Sequence, residues 1–157
     1  MKDLTLRRQG ANNTIGGSEN EIARVIVDAC FHIHRKLGPG LLESVYEAVL
    51  ARELGRRGLP VRRQVAVPIV WEGLSFDEGF RADLIVGDTV LVELKSVERL
   101  APVYAKQLLT YLRLMDKRLG LLVNFGAALI KDGIKRVVNG LDEQVPPRDF
   151  KTPRRDS

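Results

Sequence analysis

Apolar positions recur with two different periods along the chain, and the switches between them divide it into elements. From Ile22 onward, Val25, Ile26, Ala29, Cys30, Ile33 and Leu37 follow at steps of three or four, the spacing that gathers side chains into one stripe on a helix. Ser18-Glu19-Asn20-Glu21 just before the stripe has the form of a capping box, in which a serine hydroxyl and a glutamate three positions on satisfy open N–H groups at a helix start. Gly38-Pro39-Gly40 ends that helix, because proline cannot continue it and glycine relaxes the backbone. The spacing predicts a second helix from Leu41 to Arg57, with Leu42, Val45, Val49 and Leu54 facing inward and Gly58 at its end.

The period then changes to two. Val61, Val65, Val67 and Ile69 fall on one face of a strand, and Pro68 puts that strand at an edge or bulge. Trp71-Glu72-Gly73 reads as a turn. Phe80, Ala82, Leu84 and Val86 form the apolar face of a second strand, and Val90 to Ser96 a third, joined around Gly87-Asp88. Pro102, an acceptable first helical residue, opens a third helix reaching about Lys117. Gly120 to Phe125 is a predominantly apolar run, as a buried strand is, and Ile134 to Val138 adds a last one. Helix, helix, three strands, helix and one or two further strands predict an α/β layer fold, a mixed central sheet flanked by helices. The polar residues 1–17 are expected to form a flexible arm, 18–140 the folded domain, and 141–157 a mobile tail.

Composition narrows this further. With 157 residues, 45% hydrophobic and 29% charged, the chain suits one globular domain with a real core, and a largely disordered chain is excluded. Twenty-five Lys and Arg against 20 Asp and Glu leave a net charge of +5, which favours an anionic partner such as nucleic acid without demanding one. Cys30 is the single cysteine, so an internal disulfide and a Cys-rich zinc cluster are both excluded, and a reducing compartment fits best. The sequence shows neither the apolar run of a secretory signal nor a stretch that would span a bilayer, so a cytoplasmic protein without a membrane partner is expected.

Charges inside apolar strands are costly unless paired or bound to a metal. Asp83 interrupts Phe80–Val86, and Glu93 and Lys95 stand two apart, on one face, within Val90–Ser96. Paired carboxylates suit a hard divalent cation such as Mg²⁺, and a lysine beside them can position a water and stabilise developing charge, the parts phosphodiester hydrolysis needs. The plainer reading is a solvent-face charge pair. Hairpin parity bears on the choice. A two-residue loop, Gly87-Asp88, pairs Val86 with Thr89 and turns Asp83 away from Glu93. A three-residue loop, Gly87-Asp88-Thr89, pairs Val86 with Val90 and sets Asp83 opposite Glu93. The odd loop, or an equivalent bulge, is the prediction.

Four segments together carry a more specific resemblance. Gly40-Leu41-Leu42-Glu43-Ser44-Val45-Tyr46 reads GxxExxY, Arg81-Ala82-Asp83 and Val92-Glu93-Leu94-Lys95 read as the D…ExK core, and Gln107 and Tyr111 stand as Q-x3-Y. In this order the chain resembles the PD-(D/E)XK nuclease superfamily with its restriction-endonuclease-like core, and within it the GxxExxY group, with Ala82 in place of the usual proline. The resemblance implies a nuclease hydrolysing phosphodiester bonds in DNA, with RNA left open. Mg²⁺ or Mn²⁺ would be held by Asp83, Glu93 and Glu43 with the carbonyl of Leu94, and Lys95 would order the water. Tyr46, Arg81, Gln107 and Tyr111 would bind nucleic acid or support the site, Tyr104 sharing the helix face of the last two. The alternative is a non-catalytic nucleic-acid-binding or assembly module that keeps the fold. A homodimer is left open, although no heptad marks an interface. His32 and His34 read as satisfied helix-end residues, Cys30 as core, Asp77 and Glu78 as turn caps, and Arg52, Arg56, Arg57, Arg62 and Arg63 as phosphate contacts or ordinary surface charge.

Overall fold

The computed structural model describes residues 17–77 and 79–141, so the expected arm and tail lie outside the described residues except for Gly17 and Leu141. In chain order the elements are α1 (Glu19–Leu37), α2 (Glu43–Arg56), β1 (Val61–Ala66), β2 (Ile69–Trp71), β3 (Leu74–Phe76), β4 (Arg81–Val86), β5 (Val90–Lys95), α3 (Pro102–Leu114), β6 (Leu119–Asn124), a 3₁₀ turn (Ile130–Asp132) and β7 (Ile134–Val138). Five strands form one sheet in the order β1-β4-β5-β6-β7, and β2 and β3 form a separate hairpin. β5 and β6 run parallel, connected through α3, and the other neighbouring strands are antiparallel. The expected mixed sheet flanked by helices is the observed architecture.

Alternation along the central strands sends apolar side chains to both faces, so each face needs its own cover. Leu84, Val86, Val90, Val92 and Leu94 pack with Ile22, Ile26, Leu50 and Leu54 of α1 and α2. Ile85, Leu91 and Leu122 pack with Leu108 and Leu112 of α3. Burying such a side chain contributes about 1.5–3 kcal/mol. Gly120 lets α3 lie close on β6: a Cβ there would come within 2.9 Å of the Leu108 side chain. At the start of α1, Ser18 Oγ accepts from the Glu21 N–H at 3.4 Å, the serine half of the capping box. No helix among the described residues is long and apolar enough to cross a membrane.

Three expectations need correction. The inward face of α2 is Tyr46, Glu47, Leu50 and Leu54, whereas Leu42 and Val45 are exposed. The helix is turned by Tyr46, whose ring stacks on Phe125 at 4.4 Å and whose hydroxyl is bound by the preceding loop. The first strand stops at Ala66; β1 is the edge strand that Pro68 called for, but Ile69 belongs to the hairpin of β2 and β3 around Glu72 and Gly73. α3 ends at Leu114 rather than near Lys117, since Asp116 turns to a φ of 52° and breaks the helical path.

Candidate active site

The β4–β5 loop decides which side chains meet. Val86 pairs with Val90, so the loop is Gly87-Asp88-Thr89, the odd length that the charge pattern required. Gly87 and Asp88 have φ of 59° and 58°, and Thr89 N–H donates to Val86 O at 3.2 Å. Pairing continues to Leu84 and Val92, which sets Asp83 opposite Glu93. There the carboxylates replace main-chain acceptors. Asp83 N–H donates to Glu93 Oε1 at 3.1 Å, and Leu94 N–H donates to Asp83 Oδ2 at 2.8 Å. Two N–H groups between the strands are thus satisfied by the residues that also carry the charge.

On the other side of Asp83 lies the edge strand. Gln64 Nε2 donates to Asp83 Oδ1 at 3.2 Å and to Glu47 Oε1 at 3.0 Å, tying α2 to β4. Gln64 has a φ of 50° in mid-strand, an unusual conformation for a side chain of this size and the kind of strain that clusters at functional sites. Glu47 is buried and also lies 3.6 Å from Arg63 Nε.

This packing perturbs the acids. Burial, then the charge of Asp83, pushes Glu93 up to about 8, with Lys95 offsetting part of the effect. Asp83 is raised as well, by burial and by Glu47, against the pull of Leu94 N–H, Gln64 and Lys95. Lys95 Nζ lies 4.5 Å from the Tyr104 ring centroid, so α3 supplies an aromatic rest for the ammonium. Tyr111, one helix face with Tyr104, is buried, and its phenol is pushed up to about 12 by burial and by the charges of Glu93 and Asp83. Gln107 is half-buried between them on α3. Arg81 is exposed and donates to Gln64 O at 3.2 Å.

The other candidates lie elsewhere. Glu43 is exposed at the first turn of α2, on the wall of an open cleft of about 790 Å³ that Leu41, Leu42, Ser96 and Glu98 also line. Tyr46 is fully buried: its hydroxyl donates to Gly38 O at 2.5 Å and accepts from Leu41 N–H at 3.2 Å. It supports the loop and offers no surface to nucleic acid. Gly38 and Gly40, at φ of 71° and 102°, give that loop the left-handed turns a side chain would resist. His34 Nε2 bonds Ala127 O at 2.8 Å, the satisfied histidine expected, and Cys30 is core, its thiol pushed up by burial. Arg56 and Arg57 pair with Glu53, Arg57 also with Asp28, and Arg62 with Asp88, which leaves less of the basic cluster available to phosphates.

A family model described as the PD-(D/E)XK nuclease superfamily matches residues 20–137, from the first turn of α1 into β7. The chain belongs to the PD-(D/E)XK nuclease superfamily. Neither the curated proteins nor the solved structures gave a significant match. Superfamily members are generally hydrolytic nucleases that use divalent metals.

The residues present fit such an ion in kind. Among the described residues no three His, Cys, Asp or Glu side chains converge as a ready ligand set, so Glu43 does not join Asp83 and Glu93 as expected. Mg²⁺, however, is commonly held by one or two carboxylates, with waters and substrate phosphate completing its shell. Two facing carboxylates, both raised chiefly by burial, Asp83 also by Glu47 and Glu93 also by Asp83, form an oxygen-donor pair that a cation would relieve. Lys95 O accepts from Phe125 N–H on the β6 side, so strand alternation turns the Leu94 carbonyl toward β4 and the pair.

Three supporting residues are given no role by the sequence pattern. Glu47 and Gln64 are described above. The third is Asn124, buried, which accepts from Val97 N–H and Gly126 N–H and donates to Val97 O, fixing the chain just beyond Lys95. A lone amide inside the apolar run Gly120–Phe125 is its one visible signal.

Proposed function

We propose that this superfamily member, of the GxxExxY group, is a Mg²⁺- or Mn²⁺-dependent nuclease that hydrolyses phosphodiester bonds in DNA, and in RNA as a further substrate. The observation that carries the reading is the Asp83–Glu93 pair, opposed across β4 and β5, with Lys95 two residues along the same face. Asp83, Glu93 and the Leu94 carbonyl would hold the ion. When bound, such an ion neutralises phosphate charge and lowers the pKa of a water.

The chain's own residues do the remaining work. Asp83 is fixed from two sides, by Leu94 N–H on one oxygen and Gln64 on the other, so its oxygens enter the reaction already oriented. Lys95 holds the attacking water and offers a positive charge to the phosphate as negative charge builds. Tyr104 limits the freedom of that ammonium. Glu47, buried and bound to Gln64, holds that amide in place and extends negative charge toward α2. Glu43 belongs to the cleft wall, where it meets the substrate rather than the reacting atoms.

The test is a cleavage panel of single-stranded, duplex, nicked and branched DNA plus RNA, with Mg²⁺ or Mn²⁺, run beside Asp83→Ala and Lys95→Ala proteins. Cleavage that needs metal and vanishes in both variants is expected. Activity that survives Lys95→Ala would mean another site or a contaminant, and binding without cleavage would favour the module that keeps only the fold.

A further inference from the structure

We propose that the site takes unpaired nucleobases next to the scissile phosphate, seated on an aromatic platform whose outer ring is Phe80. This rests on the hydrolytic reading above and names its substrate class as single-stranded or locally opened nucleic acid.

Phe80 ends the turn into β4 and is 55% exposed, yet its ring is not isolated. It leans on Tyr111 with centroids 5.3 Å apart and planes tilted by 39°. Tyr111 in turn is close enough to Asp83 and Glu93 for both charges to act on its phenol. Through Tyr111 the exposed ring joins the face of α3 that carries Tyr104. On that face the Lys95 ammonium rests on Tyr104. Arg81, the residue after Phe80, is exposed.

Aromatic faces interleaved with cations are what a single strand requires, since its phosphates seek positive charge and its bases offer π faces. An intact duplex keeps those faces stacked inside and presents only phosphates, sugars and base edges, which would leave the Phe80 ring without a stacking partner. A purely apolar partner would gain nothing from the neighbouring cations and carboxylates. The apolar surface also continues outward. Val67 N–H donates to Phe80 O at 2.8 Å, closing the base of the β2–β3 hairpin, and Val70, Trp71 and Leu74 on that hairpin are exposed.

The test uses full-length Asp83→Asn protein, so that nothing is cut, and fluorescence polarisation with three labelled probes of about 20 nucleotides: a single strand, the same strand abasic throughout, and the duplex. The intact strand should bind about tenfold more tightly than the abasic one. Phe80→Leu, which keeps apolar bulk but removes the π face, should abolish that difference, and Phe80→Trp should retain it. Equal binding of intact and abasic strands, or a Phe80→Leu protein that still tells them apart, overturns the platform. So does a wild-type dimer that Phe80→Leu separates, because the ring would then face a second copy. The two readings fail separately. Metal-dependent cleavage by the wild type with no base dependence keeps the nuclease and removes the platform; base-dependent binding with no cleavage in any metal does the reverse.

Discussion

Two stretches of the chain carry equally conspicuous polar patterns, and folding leaves them in opposite states. Around Gly38–Tyr46 the buried hydroxyl and the loop groups it meets find protein partners. The Tyr46 hydroxyl donates to Gly38 O and accepts from Leu41 N–H, Ser96 Oγ donates to Leu41 O at 2.6 Å, and His34 holds Ala127 O. Tyr46 and Phe125 stack nearly parallel beneath them. Between β4 and β5 the carboxylates also make hydrogen bonds, but each faces the other, and both acids are pushed upward. The first region is finished by its own contacts and acts as a brace. The second holds two acids whose burial Lys95 offsets only in part, and a ligand's binding energy can enter there. A polar motif thus declares its role less by its residue types than by whether the fold satisfies them.

The largest effects should separate the two regions by kind. Lys95→Ala and Asp83→Asn should each lower metal-dependent cleavage by about 10²–10⁴-fold while leaving the thermal midpoint within a few degrees of wild type. Phe125→Ala should do the opposite. Emptying a fully buried aromatic site should cost about 3–5 kcal/mol in denaturant titration, with turnover per folded molecule retained. If Phe125→Ala lowered turnover of the folded fraction as far as Lys95→Ala does, the brace and the reacting centre could not be told apart in this way.

How much of this division was legible in the sequence depended on whether the signal was local. The order of helices and core strands follows from period alone, and the odd-length loop chosen for the charge pattern, not parity by itself, puts Asp83 opposite Glu93. The β2–β3 hairpin was missed because three-residue strands lying mostly outside the core carry no alternation to read. The face of α2 was misjudged because Glu47 is a charge that burial tolerates only through Gln64 and Arg63, partners that arrive from another element. Gln64 looks like any outward-facing strand residue until its backbone φ and its two carboxylate partners are seen together. Long-range satisfaction of polar groups has no period.

A further consequence concerns pH. Glu93 holds its proton more tightly in the fold than at its ordinary 4.5, so between about 4.5 and 8 the native state binds more protons than the unfolded chain. Without metal, stability should therefore be greatest below this window and fall as pH rises through it, and the upward shift of Asp83 acts in the same direction. Thermal midpoints in EDTA should drop by several degrees from pH 5 to pH 8, and Glu93→Gln should flatten the profile. Adding Mn²⁺ at pH 8 should recover the loss in wild type and not in the variant. A flat wild-type profile would mean that the pair is not strained by its own charge.

The finest distinction lies within α2, where Glu43 and Glu47 stand one turn apart and look interchangeable on a helical wheel. Glu47 is buried and bound to the amide that orients Asp83, whereas Glu43 is exposed on the cleft wall. Replacing Glu47 by Gln keeps the shape but weakens a charge-assisted bond to Gln64 and leaves Arg63 unpaired, so cleavage should fall by about tenfold and more Mn²⁺ should be needed for half-maximal rate. Glu43→Gln removes only an exposed charge near the path of a polyanion. Its effect should stay within about threefold and act on KM rather than kcat, fading as salt screens the field. Metal titrations of the two variants settle the assignment: a raised Mn²⁺ requirement for Glu43→Gln and an unchanged one for Glu47→Gln would move the helix carboxylate of the site from the buried turn to the exposed one.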